Sequence, residues 1–102
     1  MTANVLRGEA SLDVAGRACV LRPTFESLVA AEDELGPLFA LVERAGAGQL
    51  RLAELAALFW HCLAARDGVT REQVGEAVLH AGLAGCAPAL RSLLGQILQG
   101  RA

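Results

Sequence analysis

Three cysteines and two histidines are the side chains of this sequence best suited to metal binding or nucleophilic chemistry. They are Cys19, His61, Cys62, His80 and Cys86. Zinc sites place such ligands at short spacings such as CxxC or HxxxH, and neither spacing occurs here. His61 and Cys62 are adjacent, so on a helix their side chains point about 100° apart. His80 and Cys86 would supply only two ligands across a glycine-rich stretch. The pattern favours the cysteines as small core residues and predicts no metal site.

Catalysis by a cysteine would need more than a thiol and an imidazole. A cysteine hydrolase needs a nucleophile, a base and a third group that orients the base. The sequence shows no strand-to-helix turn that would expose a thiol, and it contains neither a GxxxxGKT-type phosphate loop nor a GxGxxG segment after a strand. We therefore expect no enzymatic activity and no cofactor.

Length and composition narrow the class of protein further. A chain of 102 residues fits one domain, and 54% hydrophobic residues with a net charge of −2 exclude general disorder. The slightly acidic balance disfavours nucleic acid as a partner. An odd number of widely spaced cysteines and a short polar start without a signal peptide predict a reducing, cytoplasmic location. The longest apolar run, Leu55–Trp60, is far below the ~20 residues of a membrane span.

The segment from Gly8 to Arg22 predicts a β-hairpin. Polar and apolar residues alternate on both sides of Ala15-Gly16. A two-residue loop there pairs residue 14 with 17, 12 with 19 and 10 with 21. That register collects five residues on one face, namely Ala10, Leu12, Val14, Cys19 and Leu21. It also sets Glu9 across from Arg22, a favourable charge pair. Ala15 is a poor residue for the positive φ that such a turn requires.

Helical periodicity and capping residues dominate the remainder. The predicted helices cover about 25–35 after the N-cap Thr24, 37–45 from Pro37, 52–66, a helix after the N-cap Thr70, and a helix that starts at Pro88 after a loop over 82–88. Thr70 with Gln73 forms a capping box. The predicted fold class is α+β, mostly α, with an N-terminal β-hairpin packed on a bundle of about five short helices. One domain spans 1–102, with a flexible N-terminus over 1–7, the hairpin over 8–22 and the helical bundle over 24–99.

Glu32 is the unusual residue of the first predicted helix. Helical spacing places it on the inward stripe, among Phe25, Leu28, Val29 and Leu35. A buried carboxylate must be paired or neutralised. Two interpretations stay open: an ion pair or exposed head at the rim of the core, with Arg17 or Arg22 as the cation, and a polar contact to a partner protein or subunit.

Four apolar residues lie on helix flanks or on the outer hairpin face: Val20, Phe39, Leu58 and Trp60. Neighbouring elements of a small domain could bury them. Alternatively they form an exposed apolar patch that binds another protein. Trp is enriched at the energetic centres of interfaces. In a chain without catalytic groups, this patch, together with Glu32, is the predicted partner-binding site.

The order of these elements resembles the small gene-transfer-agent family proteins of alphaproteobacterial genomes. The segments that carry the resemblance are Arg7–Leu12, Leu21–Phe25 leading to Leu28 and Glu32, Leu35-Gly36, Leu55–Leu63, Val69–Gly75 and the Leu-rich last helix. Proteins of this family are regarded as tail assembly chaperones of phage-like particles. The resemblance covers nearly the whole chain from Arg7.

The resemblance implies a binding protein that catalyses no reaction. Such a chaperone would bind the long helical tape-measure protein and keep it soluble until the tail-tube protein, a further partner, polymerises around it. Helix-in-groove binding by several weakly bound copies would serve this role. A homo-oligomer is compatible with it. The alternative from another class is a small helical regulatory or adaptor domain that acts through homodimerisation.

Overall fold

Two strands and four helices follow one another in the computed structural model, which describes residues 9–99. They are β1 (Ala10–Val14), β2 (Arg17–Leu21), α1 (Phe25–Leu35), α2 (Leu38–Gly46), α3 (Leu52–Cys62) and α4 (Arg71–Gln99). The predicted mostly helical class with one hairpin is confirmed, but the helices number four within this part of the chain. The flexible N-terminus predicted for 1–7 lies outside the described residues.

The hairpin has the predicted register. Leu12 faces Cys19 and Val14 faces Arg17 in an antiparallel pair. Ala15 adopts φ 51° and Gly16 φ 80°, the left-handed pair that a tight hairpin turn demands. Ala15 therefore holds a strained conformation because the register on both sides fixes it.

The second strand is paired on its other edge as well. The Arg22 amide donates to the Cys62 carbonyl at 2.6 Å, and the Ala64 amide donates to the Val20 carbonyl at 2.9 Å. These bonds hold the chain after α3 extended beside β2, with Leu63 bridging to β2. For this reason α3 ends at Cys62 and does not continue to residue 66 as predicted.

The core is built around α3, which packs on both α1 and α4, while α4 covers β1. Its fully buried members include large side chains from α3, α4 and both strands, namely Phe59, Leu58, Val74, Val78, Leu93, Val14 and Leu21. A central helix that is apolar nearly all round is thereby enclosed on several sides.

The last helix differs most from the prediction. α4 is interrupted only at Gly82, with φ 80° and ψ 159°, and becomes helical again at once. The predicted loop over 82–88 is therefore wrong, and Pro88 lies inside the helix. Cys86 and Ala89 are buried against the core, so packing holds this segment helical although proline lacks the amide that a helix interior uses. By length and composition α4 could cross a membrane; we assign it to the core because its buried residues pack on the hairpin and α3.

Helix ends follow the predicted capping residues in two places. Thr24 Oγ1 accepts from the Ser27 amide at 3.1 Å, and α1 ends at Gly36 with φ 87°. Thr70 Oγ1 accepts from the Gln73 amide at 3.1 Å, while Gln73 Oε1 accepts from the Thr70 amide at 2.9 Å. The reciprocal capping box at the start of α4 is confirmed.

Candidate protein-binding surface

Glu32 lies on the surface, and its carboxylate caps the first residue of the next helix. Its Oε2 accepts from the Leu38 amide at 3.0 Å. Leu38 is the first residue of α2, where the preceding Pro37 provides no side-chain cap. The predicted inward position is wrong because α1 turns Ala31, not Glu32, into the core. The carboxylate satisfies a free amide and complements the positive end of the α2 dipole.

The two arginines considered as partners of Glu32 have other partners. Arg22 Nε donates to Glu9 Oε2 at 2.7 Å, the cross-strand pair that the register predicts. Arg17 NH2 donates to the Asp67 carbonyl at 3.4 Å. Each arginine therefore stabilises the hairpin or the loop beside it.

Two of the predicted patch residues belong to the interior. Leu58 is fully buried in α3, and Val20 is 8% exposed beside the extended chain that follows α3. Neither can offer surface to a partner in the folded chain. Leu58 is buried because α3 meets neighbours on more than the one stripe that its periodicity suggested, so its flank is core as well.

Trp60 is half-buried and has two arginines over its ring. The guanidinium carbon of Arg66 lies 5.2 Å from the ring centroid, and that of Arg71 lies 5.9 Å away. Both distances fit cation–π contacts. The indole thus packs against the core and also lies within contact distance of two positively charged groups.

A polar junction beside Trp60 joins three helices. Glu34 of α1 accepts from Arg71 of α4 through both oxygens, each at 2.7 Å. His61 of α3 lies 2.8 Å from Glu34 Oε1 through its Nε2. An ionised carboxylate can only accept, so this nitrogen carries the proton. The buried Nδ1 of His61 has no hydrogen-bond partner among residues 9–99.

The charged groups of this junction serve as contacts between helices. Hydrogen bonds from Arg71 and then His61 hold the pKa of Glu34 at about 2, so the carboxylate is a weak base. Burial raises the pKa of the neighbouring Cys62 thiol to about 12, and it also raises that of Cys86. A thiol reacts as its thiolate, so neither cysteine is activated. Within residues 9–99 no three His, Cys, Asp or Glu side chains converge as metal ligands.

Exposed apolar side chains lie elsewhere, first of all on α1 and α2. Phe25 is 85% exposed and Phe39 is 69% exposed. A groove of about 650 Å³ is lined by apolar side chains that include Phe25, Val29 and Ile97, and also by Glu9, Arg22, Glu32 and Gln96. We call this the α1 groove. Phe25 and Val29 were predicted to face inward, but α1 buries only Ala31 fully, and they remain at the surface.

A second groove, of about 220 Å³ and mostly apolar, lies between the start of α3 and the middle of α4. Its lining includes Leu50, Leu52, Leu55, Leu83 and Leu90, with Arg51 at its edge. We call it the α4 groove. Leu83 is 68% exposed there and Leu52 is 44% exposed.

Sequence reasoning missed Phe25 and Leu83 as surface residues. Their positions carried a signal: Phe25 directly follows the N-cap Thr24, and Leu83 directly follows the break at Gly82. Of the predicted partner-binding residues, Glu32 and Phe39 are exposed and Trp60 is half-buried, and their partner-binding role stays a prediction.

Comparison with known proteins provides one family. A model of the family described as "Phage tail tube protein, GTA-gp10" matches residues 7–100. No curated protein matches the chain, and no solved structure does. The resemblance to gene-transfer-agent tail proteins is confirmed at the level of the family. The chaperone function inferred from it is wrong, because the family description is that of a tail tube protein and not of an assembly chaperone.

Proposed function

Because the chain belongs to the GTA-gp10 family of phage tail tube proteins, we propose that it is a structural component of the tail of a phage-like gene-transfer particle. The match over residues 7–100 is the observation that carries this proposal, because it spans the hairpin and all four helices. The role is one of assembly, in which the protein contributes surface and not a reaction.

The described surface fits such a role. A component of a tube needs apolar surface that becomes covered on assembly. Phe25, Phe39, Leu79 and Leu83 are each more than 60% exposed and would supply such surface. The polar junction of Glu34, by contrast, is already satisfied within the chain.

A tail component of this kind also has defined partners and a defined cellular compartment. Its partners are other tail components, with no nucleic acid or membrane involved and no cofactor required. The three cysteines are free, and Cys62 and Cys86 are buried. Free buried thiols suit a chain that is made and assembled in a reducing cytoplasm.

Disruption of the gene in a particle-producing host tests this function. We expect heads without tails in negative-stain electron micrographs, with normal tails restored by the intact gene supplied in trans. A frameshift early in the same gene is the matched control for effects on neighbouring genes. Normal tails of normal length in the disrupted strain would contradict the proposal.

A further inference from the structure

The two grooves lie at opposite ends of one apolar stripe on α4. Leu83 belongs to the α4 groove and Ile97 to the α1 groove. These two residues are 14 positions apart, about 21 Å along the helix axis, and the facing edges of the grooves are closer because Leu90 and Gln96 line them as well. Leu94, between the grooves, packs against the core, and so does Leu90 of the α4 groove. Each end of the stripe therefore opens into a surface groove.

Each end also carries a protruding side chain that suits the other groove. Phe25 stands beside the α1 groove with 85% of its surface exposed. The α4 groove, at about 220 Å³, has room for its ring, since a cavity of about 150 Å³ holds benzene. Leu83 protrudes at the α4 groove and is of a size to enter the wider α1 groove.

The α1 groove is lined by the Glu9–Arg22 ion pair and by Glu32, so its charged lining is negative on balance, whereas Arg51 lines the α4 groove. α1 carries Glu26, Glu32 and Asp33 and no basic residue, while the charge of Glu34 is already paired with Arg71. Glu26 is exposed next to Phe25, and Asp33 is exposed as well. At the edge of the α4 groove the charged side chain is that of Arg51, on an exposed residue. Charges of this kind orient two surfaces before the apolar contact closes.

We propose that the α1 groove end of one copy docks onto the α4 groove of a second copy, with Phe25 inserted among Leu52, Leu83 and Leu90 and with Glu26 facing Arg51. This inference rests on the proposed tail function and names a second copy of the chain as the partner. The contact joins two different surfaces, so it leaves one of each free at the ends of a pair. Repetition then produces a ring or a filament, the kind of assembly that a tube requires.

Photo-cross-linking tests the contact directly. A benzophenone amino acid at position 25 keeps an aromatic ring there and links to the carbon atoms that it touches. Equal amounts of isotopically labelled and unlabelled protein, mixed at millimolar concentration, separate links between copies from links within one. We expect mixed-isotope peptides joining position 25 to residues 50–55 or 83–90. Links from position 25 to α1 of the other copy would show a symmetric contact and overturn the proposal, as would the absence of links between copies.

Matched variants give an independent measure of the same contact. In sedimentation velocity, Phe25→Ser should weaken self-association about tenfold, since it removes a buried aromatic ring. Phe39→Ser, at an exposed phenylalanine outside both grooves, should leave self-association unchanged. Arg51→Glu should weaken it, and Glu26→Arg added to Arg51→Glu should restore it. Equal effects of Phe25→Ser and Phe39→Ser, or no restoration by the exchanged charges, would overturn the proposed pairing.

This inference and the proposed function can fail separately. Protein that is present in purified tails but shows no link from position 25 to a second copy keeps the tail function and overturns this contact. Protein that forms the predicted link but is absent from tails keeps the contact and contradicts the tail function.

Discussion

Glu34 and Arg71 form a two-point ion pair in which each carboxylate oxygen accepts from one guanidinium nitrogen at 2.7 Å. The pair joins the end of α1 to the first residue of α4, which are 37 positions apart in sequence. His61 of α3 adds a third hydrogen bond to the Glu34 carboxylate. This cluster of charged and polar side chains therefore connects α1, α3 and α4.

The Glu34–Arg71 pair predicts a specific dependence of stability on pH. The pKa of Glu34, about 2, lies below the usual value of 4.5. The pair therefore stabilises the fold fully above pH 4.5, and this contribution is lost as the pH falls through 2. Since the side chain of Glu34 is 39% exposed, we expect Glu34→Gln to cost only about 0.5–1 kcal/mol at neutral pH.

Urea unfolding of both proteins at pH 7, 4 and 2.5 measures this difference. It should be largest at pH 7 and shrink towards pH 2.5. A difference that stays constant over this range would contradict the assignment of the stabilisation to the ionised carboxylate.

Glu32 should act as a helix cap and not as a buried charge. Glu32→Ala removes the acceptor of the Leu38 amide, so we expect a loss of about 1 kcal/mol in the free energy of unfolding. The adjacent exposed Asp33 provides the control, and Asp33→Ala should change stability by less than about 0.5 kcal/mol. Denaturant unfolding at pH 7 measures both. Equal effects of the two substitutions would show that the Leu38 hydrogen bond contributes nothing.

The turn of the hairpin offers a stabilising substitution. Ala15 is held at φ 51°, where a side chain with Cβ costs about 1 kcal/mol. Ala15→Gly or Ala15→Asn should raise the thermal midpoint, and Asn is the better choice because it restricts the unfolded chain more than Gly does. Gly16→Ala, at φ 80°, should lower the midpoint. Differential scanning calorimetry tests the order, and a lower midpoint for Ala15→Asn would show that the turn is not left-handed at position 15.

Substitution of the buried and of the exposed partner-binding candidates should change the free energy of unfolding by different amounts. Leu58→Ala creates a cavity at a fully buried position and should cost about 2–5 kcal/mol. Phe39→Ala changes an exposed side chain and should cost less than about 0.5 kcal/mol. Chemical denaturation followed by Trp60 fluorescence compares them. Similar losses for both would place Phe39 in the core and contradict the surface described above.

Local signals in the sequence predicted the elements whose causes are local. The hairpin register followed from period-two alternation around Ala15-Gly16, and the start of α4 followed from Thr70 and Gln73. Both depend on hydrogen bonds between residues close in sequence. For the same reason the N-cap at Thr24 was predicted correctly.

Features set by distant contacts could not be predicted in this way. The helical segment after Gly82 depends on burial of Cys86 against the core, and the early end of α3 depends on pairing with β2. Glu32 was misplaced because periodicity identifies a stripe but not which edge of the stripe meets the core. The apolar grooves were missed for the same reason, since each combines residues from separate elements.

The central claim is that this protein is part of the tail, and its copy number in purified particles tests that claim most directly. Quantitative mass spectrometry of tails, separated from heads and normalised to a head protein, measures it. We expect many copies per particle, all in the tail fraction, because a tube is built from repeated subunits. Intact, full-length tails that contain none of this chain would contradict it.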